Sequence, residues 1–302
     1  MATANPPVIV FGALVIGLGY GVVTPASSSI LADRSPKHLR ALIFSLKQTG
    51  VPVGGALAGA LLPLLSSLWG WRWAALGASL GCVVVALAIE PLRPAMESER
   101  VRNPAATPSR WAGLVILFRD RRLRELSLAA FMFAGMQNCL ASYLVIYLHE
   151  RIGISLSLAG FALSAAMAAG IGGRIFWGIV ADRWKSRPLL GWIGVGMAAA
   201  SVAVAFIAPH WPAAAIIGAA VVFGLTAVGW NGVFLAEVAH IVPVEQAGAA
   251  TGASLAMTYA GVVTLPLLFL AIVRATDSYA AAYCVVAVVT LWRSLVLFRD
   301  AR

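Results

Sequence analysis

Residues 170–188 read Gly170-Ile-Gly-Gly-Arg174-Ile-Phe-Trp-Gly178-Ile-Val-Ala-Asp182-Arg183-Trp-Lys185-Ser-Arg187-Pro188, and the fold is decided by how they are read. The stretch begins as the end of a long apolar run and closes with Asp182, Arg183, Lys185 and Arg187 within six residues. Gly170, Gly172, Gly173 and Gly178 remove side chains where two helices would otherwise be held apart. Pro188 restarts the chain after a loop of a few residues. A short basic hairpin between two apolar runs is what a membrane protein presents on its cytoplasmic side.

Composition agrees. Hydrophobic residues are 61% of the 302 and charged residues 11%, against about 25% charged in a soluble domain. The net charge of +10 would point to nucleic acid in a soluble protein. Here the basic residues stand between apolar runs, so membrane topology accounts for them and no nucleic-acid partner is expected. Cys82, Cys139 and Cys284 lie within apolar runs without CxxC spacing, and the four histidines stand apart. Neither a disulfide framework, a metal site nor a cofactor is indicated.

About 20 apolar residues cross a bilayer. Nine segments qualify, at roughly 8–32, 40–67, 72–92, 124–148, 155–181, 188–208, 212–236, 246–273 and 278–297. All are expected to be helices, because lipid does not tolerate an unpaired backbone. The first follows Met1-Ala-Thr-Ala-Asn-Pro-Pro without a basic n-region, and is not read as a signal peptide. With nine spans the termini fall on opposite sides. One side then holds Arg34, Lys37 and Arg40, the eight arginines between 93 and 124, Arg183, Lys185 and Arg187, and Arg293, Arg299 and Arg302: seventeen of the 22 basic residues. The other holds Arg72, Arg151 and Arg274. Basic loops stay inside, which places the C-terminus in the cytoplasm and the N-terminus outside; the expected location is the plasma (inner) membrane.

The core Gly178-Ile-Val-Ala-Asp182-Arg183, followed by Arg187, resembles the signature loop of the major facilitator superfamily of transporters. The first span, with Gly17, Gly19, Gly21 and Pro25, is similar to the family's fourth helix, and Lys47-Gln-Thr-Gly50-Val-Pro52-Val-Gly54-Gly55 to the Gly/Pro motif of its fifth. The chain departs at Ala13, where many members carry arginine, and at Val51, which separates Gly50 from Pro52. The resemblance implies an all-α polytopic bundle in which a long cytoplasmic linker separates two six-helix halves. The expected division is 1–92 as a partial N-terminal half, 93–123 as linker and 124–302 as the C-terminal half. Nine helices of twelve are expected, three being absent ahead of Met1. An internal repeat agrees with this. Leu31-Ala32-Asp33 with Ser45-Leu46-x-x-Thr49 matches Leu235-Ala236-Glu237 with Ser254-Leu255-x-x-Thr258, so spans one to three match spans seven to nine.

Lys47 is the most informative single residue. In a helix starting near Arg40 it lies about 10 Å along the axis, where an isolated charge costs about 2.5–3.5 kcal/mol. Two readings stand: a cationic anchor for an anionic substrate, with Gln48 and Thr49 as hydrogen-bonders, or a side chain snorkelling to the headgroups. Gln137 and Asn138 need partners at mid-membrane, from either a water-filled cavity or a neighbouring helix. Trp230 and Asn231 could form the floor of a pocket, with Tyr20 and Tyr259 as further lining, or pack. Asp33, Arg174, Gly178, Asp182, Arg183 and Glu237 are expected at the half-solvated cytoplasmic ends. By the resemblance they latch the two halves; otherwise the five charged residues among them only fix topology.

No convergent acid–base or nucleophile set lies at depth, so an enzyme is not expected. The expectation is alternating-access transport of a small solute, an organic or inorganic anion by the argument from Lys47. Coupling to protons is compatible with the family, although no carboxylate lies deep in a span. The rivals are an efflux antiporter for apolar compounds and a fragment that does not transport.

Overall fold

The structure, a computed structural model, describes residues 6–96 and 111–299. Among them are nine helices long and apolar enough to cross a membrane: Pro6–Arg34, Lys37–Trp69, Trp71–Ile89, Arg121–Arg151, Leu156–Arg183, Ser186–Ala205, Ala213–Ile241, Val244–Thr276 and Tyr279–Arg299. They are the first to ninth spans below, and each overlaps one of the nine expected apolar runs; the third and sixth stop three residues short of the expected ends, at Ile89 and Ala205. Residues 97–110 of the expected linker, and Arg302, lie outside the described residues.

The ends follow local rules. Asp120 caps the fourth span by accepting from Leu123 N at 3.0 Å, and Ser155 caps the fifth by accepting from Leu158 N at 3.3 Å. Gly70 turns the chain between the second and third spans at φ +82°, a region that favours glycine. Three features go beyond the sequence reading. The fourth span closes in a π-helical turn, Tyr147–Arg151. The seventh is two helices, Ala213–Ala227 and Asn231–Ile241, broken at 228–230. The end of the expected linker is itself a helix, Ala112–Arg119, packed on the eighth span. Gly113 makes that approach possible, since a Cβ there would run into the backbone of Ala249.

Spans four to nine form one packed unit, with the fourth against the eighth, the sixth against the ninth and the fifth against the seventh. Small residues set these distances. A Cβ on Gly261 would meet the backbone of Phe131, and one on Gly224 the backbone of Ala166. The second span lies along the fifth and along the later segment of the seventh, and the first along the eighth. The third packs on the second. Within their most apolar windows spans one to three are 6%, 0% and 6% buried, against 28–61% in the other six.

Candidate functional site

The helix of the second span begins at Arg40, so Lys47 lies two turns inside it. Its Nζ donates to Gln48 Oε1 at 3.0 Å and to Thr24 Oγ1 of the first span at 3.3 Å. Both acceptors are neutral, so neither neutralises the ammonium. Thr49 is turned back on its own helix, its Oγ1 donating to Ser45 O at 2.9 Å.

Arg174 is 4% exposed. It stands eight residues before Asp182, about 12 Å along the helix, and this corrects its expected place at a half-solvated helix end. Its Nη1 donates to the backbone carbonyl of Gln48, and its Nε to the carbonyl of Val228 at 3.1 Å, in the break of the seventh span. Asn231 Nδ2 approaches the same Val228 carbonyl at 3.5 Å and donates to Gln137 Oε1 of the fourth span at 3.3 Å. A single run of polar contacts therefore crosses five spans: Gln137, Asn231, the Val228 carbonyl, Arg174, Gln48, Lys47 and Thr24. Sequence reading names Gln137, Asn231, Arg174, Gln48 and Lys47 separately. It misses Thr24 and the Val228 carbonyl, and a backbone acceptor leaves no mark of its own in a sequence.

The other candidates are placed differently. Asn138 Nδ2 donates to Val262 O at 3.0 Å and so joins the fourth span to the eighth; Tyr143, five residues further along and not among the candidates, does the same through its Oη to Pro266 O at 2.9 Å. Trp230 is fully buried. Its indole N–H goes to Ala227 O, and its ring stands edge-on to Phe133 with centroids 5.6 Å apart. That surface is taken up by packing, and the ring is not open to a solute here. Tyr20 on the first span and Tyr259 on the eighth are both exposed.

At the basic end, Asp182 accepts from the backbone of Ala41 at 2.8 Å and of Leu42 at 2.9 Å. Those donors are free N–H groups of the second span's first turn, where the helix dipole also favours an anion. Gly178 keeps the same two helices close, since a Cβ there would lie 2.7 Å from Ser45 Oγ. Beside this contact is a cavity of about 1190 Å³, lined by Lys37, Arg40, Arg121, Arg187, Asp182 and Glu237 among others. Glu237 is buried to 8% exposure. Asp33 is exposed and stands 3.8 Å from its neighbour Arg34, and Arg183 is exposed. These two are not drawn into the contact between the spans.

Comparison with known proteins matches residues 1–266 to the family model described as Major Facilitator Superfamily. A gentisate transporter of Corynebacterium glutamicum is 27% identical over 273 residues, covering 86% of this chain and 60% of that protein. The chain spans about half to two thirds of the length of the curated relatives it matches. Among solved structures, the E. coli fucose:proton symporter aligns with a TM-score of 0.70 at 18% identity, over 91% of this chain and 72% of that one. A proton:xylose symporter aligns at 0.67 and 15%, over 93% and 68%. At these identities the two structures establish the fold.

Proposed function

Because this chain belongs to the Major Facilitator Superfamily, we propose that it serves membrane transport of a small anionic solute by alternating access. The observation that carries the substrate class is Lys47, a charge two turns inside a span whose hydrogen bonds go to neutral groups. An anion supplies the missing counter-charge during part of the cycle. The C. glutamicum relative, named for gentisate, a carboxylate, is in keeping with this. Gln48 and the pair Gln137–Asn231 are the neutral hydrogen-bonders of the site, with Tyr20 on its wall. Proton coupling belongs to the proposal too, on the precedent of the two symporters named above.

The chain is read as a partial N-terminal half over 1–92, a linker over 93–123 and a six-helix half over 124–302. In the conformation described, spans one and two lie against spans five, seven and eight, and Asp182 bonds across that seam. Asp182 and Gly178 act as the latch, and opening the seam breaks both N–H contacts of the carboxylate. The charge bias of the loops puts this latch and the C-terminus in the cytoplasm. An impermeant thiol reagent should therefore reach Lys185→Cys in inverted vesicles and not in intact cells.

The decisive test is binding of a panel of small carboxylates and inorganic anions to the full chain and to its Lys47→Gln variant. Loss of a charge-assisted contact, about 1.5–3 kcal/mol, raises the dissociation constant roughly ten- to a hundred-fold. Lys47→Arg should restore part of it, because a planar fork replaces a point charge. Unchanged affinity in Lys47→Gln, or a neutral or cationic best ligand, would return Lys47 to snorkelling and favour efflux of apolar compounds.

A further inference from the structure

The second span is a helix from Arg40 to Trp69 with Pro52 inside it. Proline has no N–H to give to the carbonyl four residues back, and here that carbonyl belongs to Gln48. It is the one that Arg174 reaches from the fifth span. The second acceptor of the same guanidinium, Val228 O, lies where the seventh span stops and restarts. Two backbone carbonyls released by helix irregularities, one on each side of the seam, thus share one buried arginine. The same device appears within the six-helix unit. Pro266 releases the carbonyl of Val262, and Asn138 takes it at 3.0 Å. There both helices belong to the same packed unit. At Pro52 they do not.

We propose that Arg174 is a positioning residue for the transport cycle: a clasp that holds the second span to the fifth and seventh through the carbonyl Pro52 sets free. In lipid an orphaned carbonyl must find a donor, and closing the seam supplies one that the second span lacks alone. Closure is therefore favoured by the backbone of the span as well as by the Asp182 latch. Opening leaves the Gln48 carbonyl to water in the opened cavity. The proposal rests on the reading that the two parts of the chain separate during transport. It does not depend on what the solute is.

The test is the labelling rate, by an impermeant thiol reagent in inverted vesicles, of Ser29→Cys in a chain otherwise free of cysteine. Ser29 lies in the seam against Gly248, where a Cβ would come within 3.6 Å of it. Arg174→Gln should raise the rate roughly ten-fold, the scale of one charge-assisted hydrogen bond. Arg174→Lys should give back part of the closure. Pro52→Ala should raise the rate several-fold by itself, since the new backbone N–H can bond Gln48 O within the helix. Alanine is the better helix former, so this variant is safe for folding and tests the idea if Arg174→Gln does not insert.

In the Pro52→Ala background Arg174→Gln should add less than about three-fold. Effects that multiply in full, or a Pro52→Ala rate equal to that of the unaltered chain, would overturn the clasp. If Asp182→Ala raises labelling while neither Arg174→Gln nor Pro52→Ala does, the clasp falls and the moving seam stands. If none of the three changes the rate, the moving seam itself is wrong, and the clasp falls with it.

Discussion

The three spans from Pro6 to Ile89 and the six from Arg121 to Arg299 are alike in composition and unlike in packing. Mean hydropathy is 1.7–2.1 in the first set and 1.4–2.1 in the second, yet only the second buries a large share of its side chains against other helices. The glycines show why. In the six-helix unit, a Cβ on Gly135, Gly170, Gly224 or Gly261 would strike a facing helix. On Gly17, Gly19, Gly21, Gly54 or Gly55 it meets nothing within 4 Å. Apolar composition places a segment in the membrane, where lipid is as apolar as leucine. Close packing comes from small residues placed opposite a neighbour.

The largest expected effect probes that contrast directly. Gly224→Val forces a branched side chain into the backbone of Ala166, an overpacking that costs about 1–3 kcal/mol or more. It should sharply lower the midpoint of thermal unfolding in detergent. Gly54→Val should leave the midpoint within the scatter of a surface substitution, about 0.5 kcal/mol. An equal loss in both variants would mean that the Gly54 face is also packed, and the contrast would not hold.

The next effect concerns the seam between the two regions. Asp182→Ala removes the acceptor for Ala41 N and Leu42 N, a helix cap made in trans, worth about 0.5–2 kcal/mol. The expected result is a several-fold faster labelling of Ser29→Cys, with thermal unfolding of the six-helix unit hardly changed. A large fall in that midpoint with unchanged labelling would make Asp182 a stabiliser of the unit and not a latch.

Much of this is legible in the sequence, for reasons that differ from residue to residue. The nine spans follow from apolar length. Asp182 can be marked out because its loop carries a recognisable spacing, but its partner cannot, since backbone N–H groups at a distant helix end have no sequence signature. Lys47 stands out because a charge in an apolar run is costly. Arg174 is misplaced by the sequence because eight residues of helix separate it from the loop it is grouped with. Trp230 reads equally as a pocket floor or as packing, and what decides for packing is Phe133, nearly a hundred residues earlier. The sequence does hold one further clue. Each proline inside a span names the carbonyl four residues back that needs a donor, and Pro52 and Pro266 thereby point to Gln48 and Val262.

The smallest expected effect lies at the opposite end of the six-helix unit, where Asp277 ends the eighth span in the left-handed region at φ 52°. Its carboxylate pairs with the exposed Arg151 at the close of the fourth. The hydrogen bond from Arg151, with its positive charge, holds the Asp277 carboxyl below its ordinary range. A carboxyl depressed in the folded state adds stability above its unfolded value of about 3.9, and that contribution fades as the pH falls through the folded value. Asp277→Asn isolates the charge, because asparagine also tolerates the left-handed conformation. The variant should unfold at a slightly lower temperature than the unaltered chain at pH 7. The gap should narrow as the medium is acidified below about pH 4, and it should shrink with added salt because the pair is exposed. A gap as wide at low pH as at neutral pH would mean that Asp277 acts through its backbone position and not through Arg151.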